Sequence, residues 1–212
     1  MYIPHHHTES RLDILHALVR AHPLGTWVVP GDGELIANHV PFLLDTTRGE
    51  FGTLVGHLAR ANPVWQSAPS LIPSVVAFQG AQTYITPSWY PSKQEHGRTV
   101  PTWNYAVVHV HGRPTFIEEH DWLYDHVCRL TDAHEVMQAT PWQVADAPAD
   151  FIAALIRAIV GVEIPIQRIE GKWKTSQNRP ERDRQGVVAG LLGKDDTQAV
   201  AMAALVQQSI VP

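Results

Sequence analysis

A single cysteine, Cys128, stands in a chain of 212 residues. One thiol excludes an internal disulfide and any cluster of cysteine ligands around a metal. A reducing cytoplasm is the expected setting. Long apolar runs are missing as well: no stretch approaches the roughly 20 residues of a membrane span, so no membrane partner is expected. The opening residues MYIPHHHTES lack a basic segment followed by an apolar one, the pattern of a signal peptide. Basic residues are outnumbered, with 16 Lys and Arg against 21 Asp and Glu and a net charge of −5 with His neutral. Nowhere do three Lys or Arg stand in a row. That argues against a broad surface for nucleic-acid phosphates and makes direct, sequence-specific DNA binding doubtful. The short catalytic signatures GxSxG, GxGxxG after a strand, the P-loop and HExxH are all absent.

What is present fits one globular domain over residues 1–212, 44% hydrophobic, long enough to bury a sizeable core. Short strands at close spacing predict a mainly β chain with peripheral helices. Leu24–Pro30 reads as a strand, the Pro-Gly-Asp-Gly turn follows, and Glu34–Leu44 reads as its hairpin partner, with a bulge or an edge at Pro41. Further strands are expected at Thr53–Val55, at Ile72–Gln79 and Thr83–Thr86 about a turn at Gly80, at Trp103–Ile117, and at Val162–Trp173. In Tyr105–His111 the alternation puts Tyr105, Val107, His109 and His111 on one face and Ala106, Val108 and Val110 on the other. Apolar residues at helical spacing predict helices near 8–22, 120–134, 148–160 and 187–209. Gly161 is expected to close the third.

Four polar clusters stand out. Asn38 and His39 interrupt an apolar strand. His57, Arg60 and Asn62 follow the next strand, where the pattern predicts a helical turn; free N–H groups there and the Arg60 charge suit an anion, and equally an ordinary capped turn with a solvated arginine. Lys93 lies in a polar loop between aromatic groups that leads into Thr102, Trp103 and Asn104. Aromatic walls with Lys and Arg donors suit a flat, phosphorylated ligand, and also describe a solvated hairpin over core tryptophans. Lys174, Ser176 and Gln177 end the last predicted strand with groups able to contact phosphate, hydroxyls or a pyrimidine edge. Arg179, Arg182 and Arg184 alternate with Glu181 and Asp183 and read as a salt-bridged surface. Among the thirteen histidines, His5–His7 and the pair His109 and His111 fit metal ligation or plain solvent exposure.

Five stretches then carry a resemblance: MYIP at 1–4, GHLARANP at 56–63, YITPSWYPSK at 84–93, VPTWNYAVVHVHG at 100–112 and KTSQNRPERDRQGVVAGL at 174–191. On these the chain resembles the PaiB-type FMN-binding negative transcriptional regulators, which are similar to the pyridoxamine phosphate oxidase type. The resemblance implies a six-stranded Greek-key split β-barrel, a homodimer, and FMN in a groove between subunits. It also implies that cofactor-binding residues lie among the four clusters. The HHH after MYIP departs from the family pattern. No helix-turn-helix with a basic recognition helix is visible, so the regulatory role implied by the family is expected to be indirect. Two function classes follow: a flavin-binding module that senses redox or metabolite state, and an FMN-dependent oxidoreductase on a small substrate. A haem-handling protein is a third.

Overall fold

The computed structural model describes residues 1–31, 33–67 and 73–210. Its strands are β1 Thr8–Glu9, β2 Leu24–Pro30, β3 Leu35–Pro41, β4 Leu43–Asp45, β5 Thr53–Ala59, β6 Ser74–Ile85, β7 Thr102–Gly112, β8 Thr115–Ile117 and β9 Ile159–Lys174. Its helices are α1 Leu12–Ala21, α2 Val64–Ser67, α3 Ser92–His96, α4 His120–Glu135, α5 Ala149–Arg157, α6 Glu181–Leu192 and α7 Thr197–Gln208, with single 3₁₀ turns at His5–His7, Pro87–Trp89 and Val144–Asp146. Strand order is β3-β2-β6-β7-β9-β5-β4, and β1 and β8 also pair with β9. This is the mainly antiparallel α+β split-barrel class. The sheet has nine strands rather than six among the described residues. Six run seven residues or more, and β1, β4 and β8 are additions of two or three.

The chain forms two compact units. Unit 1 is Met1–His22, Phe78–His109 and Glu170–Pro212; unit 2 is Pro23–Ala77 and Val110–Ile169. The spacing predicts a stripe of Leu12, Leu15, Leu18 and Val19 on α1 of unit 1; the last three are buried and Leu12 is half-buried. A second apolar cluster joins Ile85 and Tyr90 to Val187, Leu191, Met202 and Val206 of α6 and α7. In unit 2 the buried face comprises Trp27, Val29, Val40, Phe42, Leu54, Val160, Val162 and Ile164. Each such side chain contributes roughly 1.5–3 kcal/mol on leaving water. The Trp27 indole donates to Ser74 Oγ at 2.8 Å, and Ser74 Oγ donates to Gly112 O at 3.1 Å. The buried polar atoms at this point of the core are therefore satisfied.

Several expectations need correction. The first helix begins at Leu12, because Thr8 and Glu9 pair with Lys172 and Gly171 of β9. Gly80 makes no turn: β6 runs through it from Ser74 to Ile85. A Cβ on Gly80 would stand 3.0 Å from the Leu18 side chain, so this glycine admits a close approach of α1. Gly161 does not close a helix either. α5 ends at Arg157, and Gly161 lies within β9 opposite His57 and Ile117. The polar loop expected around Lys93 contains α3 instead, closed by Gly97 at φ +66°. Asp183 holds its start, accepting from Ser92 N at 3.1 Å and Ser92 Oγ at 2.6 Å. Gly31 N bonds Glu34 O at 2.7 Å and Gly33 sits at φ +80°; Asp32 of the expected turn and the expected strand start at Ile72 lie outside the described residues.

Candidate functional site

In unit 1 the pleat of β7 sends alternate residues to opposite faces. Asn104 is fully buried and Thr102 half-buried, while the Trp103 ring is 53% exposed and meets Tyr84 edge to face at 6.3 Å. Lys174 ends β9 beside this segment. Its ammonium donates to Thr102 Oγ1 and, at 2.7 Å, to Trp103 O. Asn104 Nδ2 donates to Ser176 Oγ at 2.9 Å, and Asn104 Oδ1 is buried with no hydrogen-bond partner among the described residues. Ser176 sits at φ +66°, a left-handed conformation that costs a residue bearing a Cβ about 1 kcal/mol.

Thr102, Asn104, Lys174, Ser176, Tyr90 and Arg179 face a pocket of about 90 Å³. The Arg179 guanidinium lies 4.9 Å from the centre of the Tyr90 ring. Burial pushes the Lys174 ammonium below its ordinary value, and Lys172 and Arg179 push the same way against Tyr105. Burial likewise raises the Tyr90 phenol, with Arg179 opposing. Two cations without a carboxylate, the hydroxyls of Thr102, Ser176 and Tyr90 and one orphaned carbonyl oxygen make a site for an anion whose neighbouring atoms include a donor.

The other predicted residues of this unit go elsewhere. Gln177 is tied into its own loop: Oε1 accepts from Thr175 N at 2.8 Å and meets His7 Nδ1 at 3.0 Å, and Nε2 donates to Trp173 O at 2.5 Å. Lys93 reaches Ser88 Oγ at 3.4 Å. Sequence reasoning took Arg179 for a salt-bridged surface residue and Tyr90 for one of the aromatic walls about the Lys93 loop. The arginines after Asn178 divide their roles: Arg182 pairs with Glu95, and Arg179 stacks.

In unit 2, β5 carries His57 and runs to Ala59, paired with Ile159. The expected helical turn at His57 is therefore strand, and the short helix comes later, at Val64–Ser67, where Val64 N bonds Asn62 Oδ1 at 3.0 Å. Arg60 donates from Nε to Arg157 O at 2.9 Å, from Nη2 to Ile159 O at 3.0 Å and from Nη1 to Glu118 at 2.5 Å. Asn62 Nδ2 donates to Asn38 Oδ1 at 2.7 Å, while His39 is exposed, opposite Thr26 on β2. His57 Nδ1 and His126 Nε2 stand 3.0 Å apart, and Trp122 stacks on the His126 ring at 5.3 Å. Burial, then the neighbouring His57 and Arg129, hold His126 down to about 4. Burial lowers His57 too. Among the described residues no three His, Cys, Asp or Glu come together as a metal would require. No helix among them is long and apolar enough to cross a membrane.

The residues of this pocket would suit a flavin mononucleotide: Lys174 and Arg179 match a phosphate, and the buried Asn104 Oδ1 is open to a hydroxyl donor. Comparison with known proteins bears on the cofactor, not on which residues hold it. A Bacillus subtilis protein named "Protease synthase and sporulation protein PAI 2" is 29% identical over 99% of this chain and 98% of its own. An uncharacterized protein of Emericella nidulans is 31% identical over 95% of both chains. The FAD and heme binding protein of Mycobacterium smegmatis has a similar fold, with a TM-score of 0.56 at 18% identity over 79% of this chain and 73% of that one. The family model described as "Putative FMN-binding domain" matches residues 1–168. The chain belongs to this FMN-binding domain family, and its cofactor is FMN.

Proposed function

We propose that this flavoprotein holds the phosphate end of FMN with Lys174, Arg179, Ser176 and Thr102 and the adjoining hydroxyls with Asn104, and that it acts as a homodimer sensing redox or metabolite state to influence gene expression. The observation that carries the reading is the partly buried, carboxylate-free donor set around the orphaned Asn104 oxygen. Since the family match ends at residue 168, the roles of Lys174 and Ser176 rest on this geometry. FMN, when bound, supplies hydride and single-electron transfer; the protein supplies binding, orientation and charge.

The pocket of about 90 Å³ is well below the roughly 300–1,000 Å³ of a complete small-molecule site. One chain therefore encloses part of the flavin, which supports a second copy completing the site. Trp103 and Val100, exposed by 53% and 65%, are of the apolar kind that subunit interfaces cover. The sporulation protein among the relatives supports a regulatory role. The charge balance supports an indirect one, within a reducing cytoplasm.

The test is an absorbance spectrum of the purified protein with identification of the released cofactor, followed by FMN titration of Lys174→Ala. Loss of one charge-assisted phosphate bond costs roughly 1.5–3 kcal/mol, so FMN affinity should fall about ten- to hundredfold. An unchanged affinity removes Lys174 from the site. Light scattering should give a dimer; a flavin-loaded species of 23.6 kDa would end the dimer reading. Steady turnover of NAD(P)H by the bound flavin would replace sensing with an oxidoreductase.

A further inference from the structure

Unit 1 contains two more cavities, and they adjoin. The first, about 320 Å³, is mainly apolar, with His22 and Gln208 at its polar margin: Ala17 of α1, Gly80 of β6, Ala106 of β7 and Ala201 of α7 leave room beside the Trp173 ring. The second, about 370 Å³, is polar, with Thr8, Arg11, Thr175, Gln177 and Ser209 among its walls. Ile14, Trp173, Leu205 and Gln208 line both. Each volume falls within the roughly 300–1,000 Å³ of small-molecule sites.

The chemistry of the walls defines the guest. The indole of Trp173 beside methyl groups favours a flat apolar body. The polar half offers hydroxyls and amides. Its arginine is already forked on Glu9, Nε to Oε1 at 2.9 Å and Nη2 to Oε2 at 2.6 Å, so a charged head finds no free counter-ion there.

The chain also links these cavities to the flavin pocket. Along residues 173–178, Trp173, Thr175 and Gln177 line the cavities, while Lys174, Ser176 and Asn178 line the flavin pocket. The Gln177 side chain reaches back past Ser176, the residue held at φ +66°, to bond both Thr175 N and Trp173 O. A guest that shifts Trp173 or Gln177 moves the backbone that presents Lys174 and Ser176.

We propose that the paired cavities bind an amphipathic small molecule, with a planar apolar body against Trp173 and an uncharged hydroxyl- or carbonyl-bearing head, and that residues 173–178 transmit its presence to the FMN pocket. The transmission rests on the FMN placement proposed above; the binding does not. The experiment is calorimetric titration of the full-length, FMN-loaded protein with 2-naphthol, for the wild type, Ala17→Phe and Ala201→Phe. Both alanines are exposed, so either ring fills the groove without entering the core. One site per chain is expected, with affinity lowered at least about tenfold in each variant, and FMN affinity altered about threefold or more by saturating naphthol in the wild type alone.

No heat with the wild type, or full binding by both variants, overturns the site. Naphthol binding that the variants abolish, with FMN affinity unmoved, overturns the transmission. Unchanged FMN affinity in Lys174→Ala with normal naphthol binding instead faults the FMN placement. Absence of naphthol binding together with conversion of a dimer to a monomer by Ala201→Phe shows a subunit interface and overturns the proposal.

Discussion

Around the strand ends of unit 2, Arg60 closes on Glu118 and Arg48 on both Asp45 and Glu163, as Arg11 and Arg182 of unit 1 close on Glu9 and Glu95; the cations at the unit 1 pocket do not. In unit 1, Lys174 spends its hydrogen bonds on a hydroxyl and a carbonyl, and Arg179 lies on an aromatic ring. Residue types that look alike in sequence thus do different work. A cation already neutralised by an acid holds the fold together. One that is desolvated without an acid keeps its attraction for an incoming anion. The His57–His126 pair of unit 2 adds the same lesson from the other side, since burial disfavours the charged form of both rings.

The largest expected effect concerns that pair. His126 titrates near 4 in the folded chain against an ordinary 6.5. Between those values the unfolded chain binds the proton more tightly, so stability falls as pH drops from about 6.5 to 4, by up to about 3 kcal/mol. Denaturant unfolding at pH 7 and pH 4.5 should show the loss, and His126→Phe should remove most of its pH dependence. A flat profile in the wild type would mean the pair is not buried.

Next comes a crossed pair of variants. Arg60→Ala leaves Arg157 O and Ile159 O without their donor and should cost about 2 kcal/mol of stability. Lys174→Ala should leave stability within about 1 kcal/mol and weaken FMN as stated above. Should Arg60→Ala weaken FMN to the same degree, the division between a structural and a binding cation collapses and Arg60 joins the cofactor residues.

A pH titration sharpens the same contrast. Because Lys174 is held below its ordinary value, the empty protein gains stability as pH rises through that lowered value, where the folded state releases the proton first. Bound phosphate favours the ammonium. The melting-temperature increase produced by FMN should therefore shrink at alkaline pH, and should be insensitive to pH there in Lys174→Ala.

The smallest effect is Ser176→Gly. It relieves the left-handed conformation and removes the acceptor of Asn104, so stability should change by less than about 1 kcal/mol while FMN binding weakens. A gain in stability with full FMN binding would show that the hydroxyl is dispensable.

Much of the fold was legible because local patterns reported it. The β7 residues Ala106, Val108 and Val110 are buried, as alternation requires, and α4 begins at His120 as its pattern indicates. Errors arose where a residue's role depends on a partner distant in sequence. Gly80 and Gly161 look like punctuation until Leu18 and Trp122 are placed against them. His57–Ala59 looks helical because its strand partners, Ile159–Gly161, come about a hundred residues later. The site shows the same limit. Thr102, Asn104, Lys174 and Ser176 were identifiable as polar groups beside strands. The stack of Arg179 on Tyr90 depends on the fold bringing α3 beside the start of α6, which no spacing encodes.

The contact between Gly161 and Trp122 carries a consequence for descent. A Cβ at residue 161 would lie 2.3 Å from Trp122 Cζ3, inside any tolerable separation. Neither position can drift alone toward bulk. A lineage acquiring a larger residue at 161 must first accept a smaller one at 122, and that intermediate loses the ring stacked on His126. The two positions should therefore vary as a pair across related chains, a large residue at one accompanying a small residue at the other, with few sequences caught between.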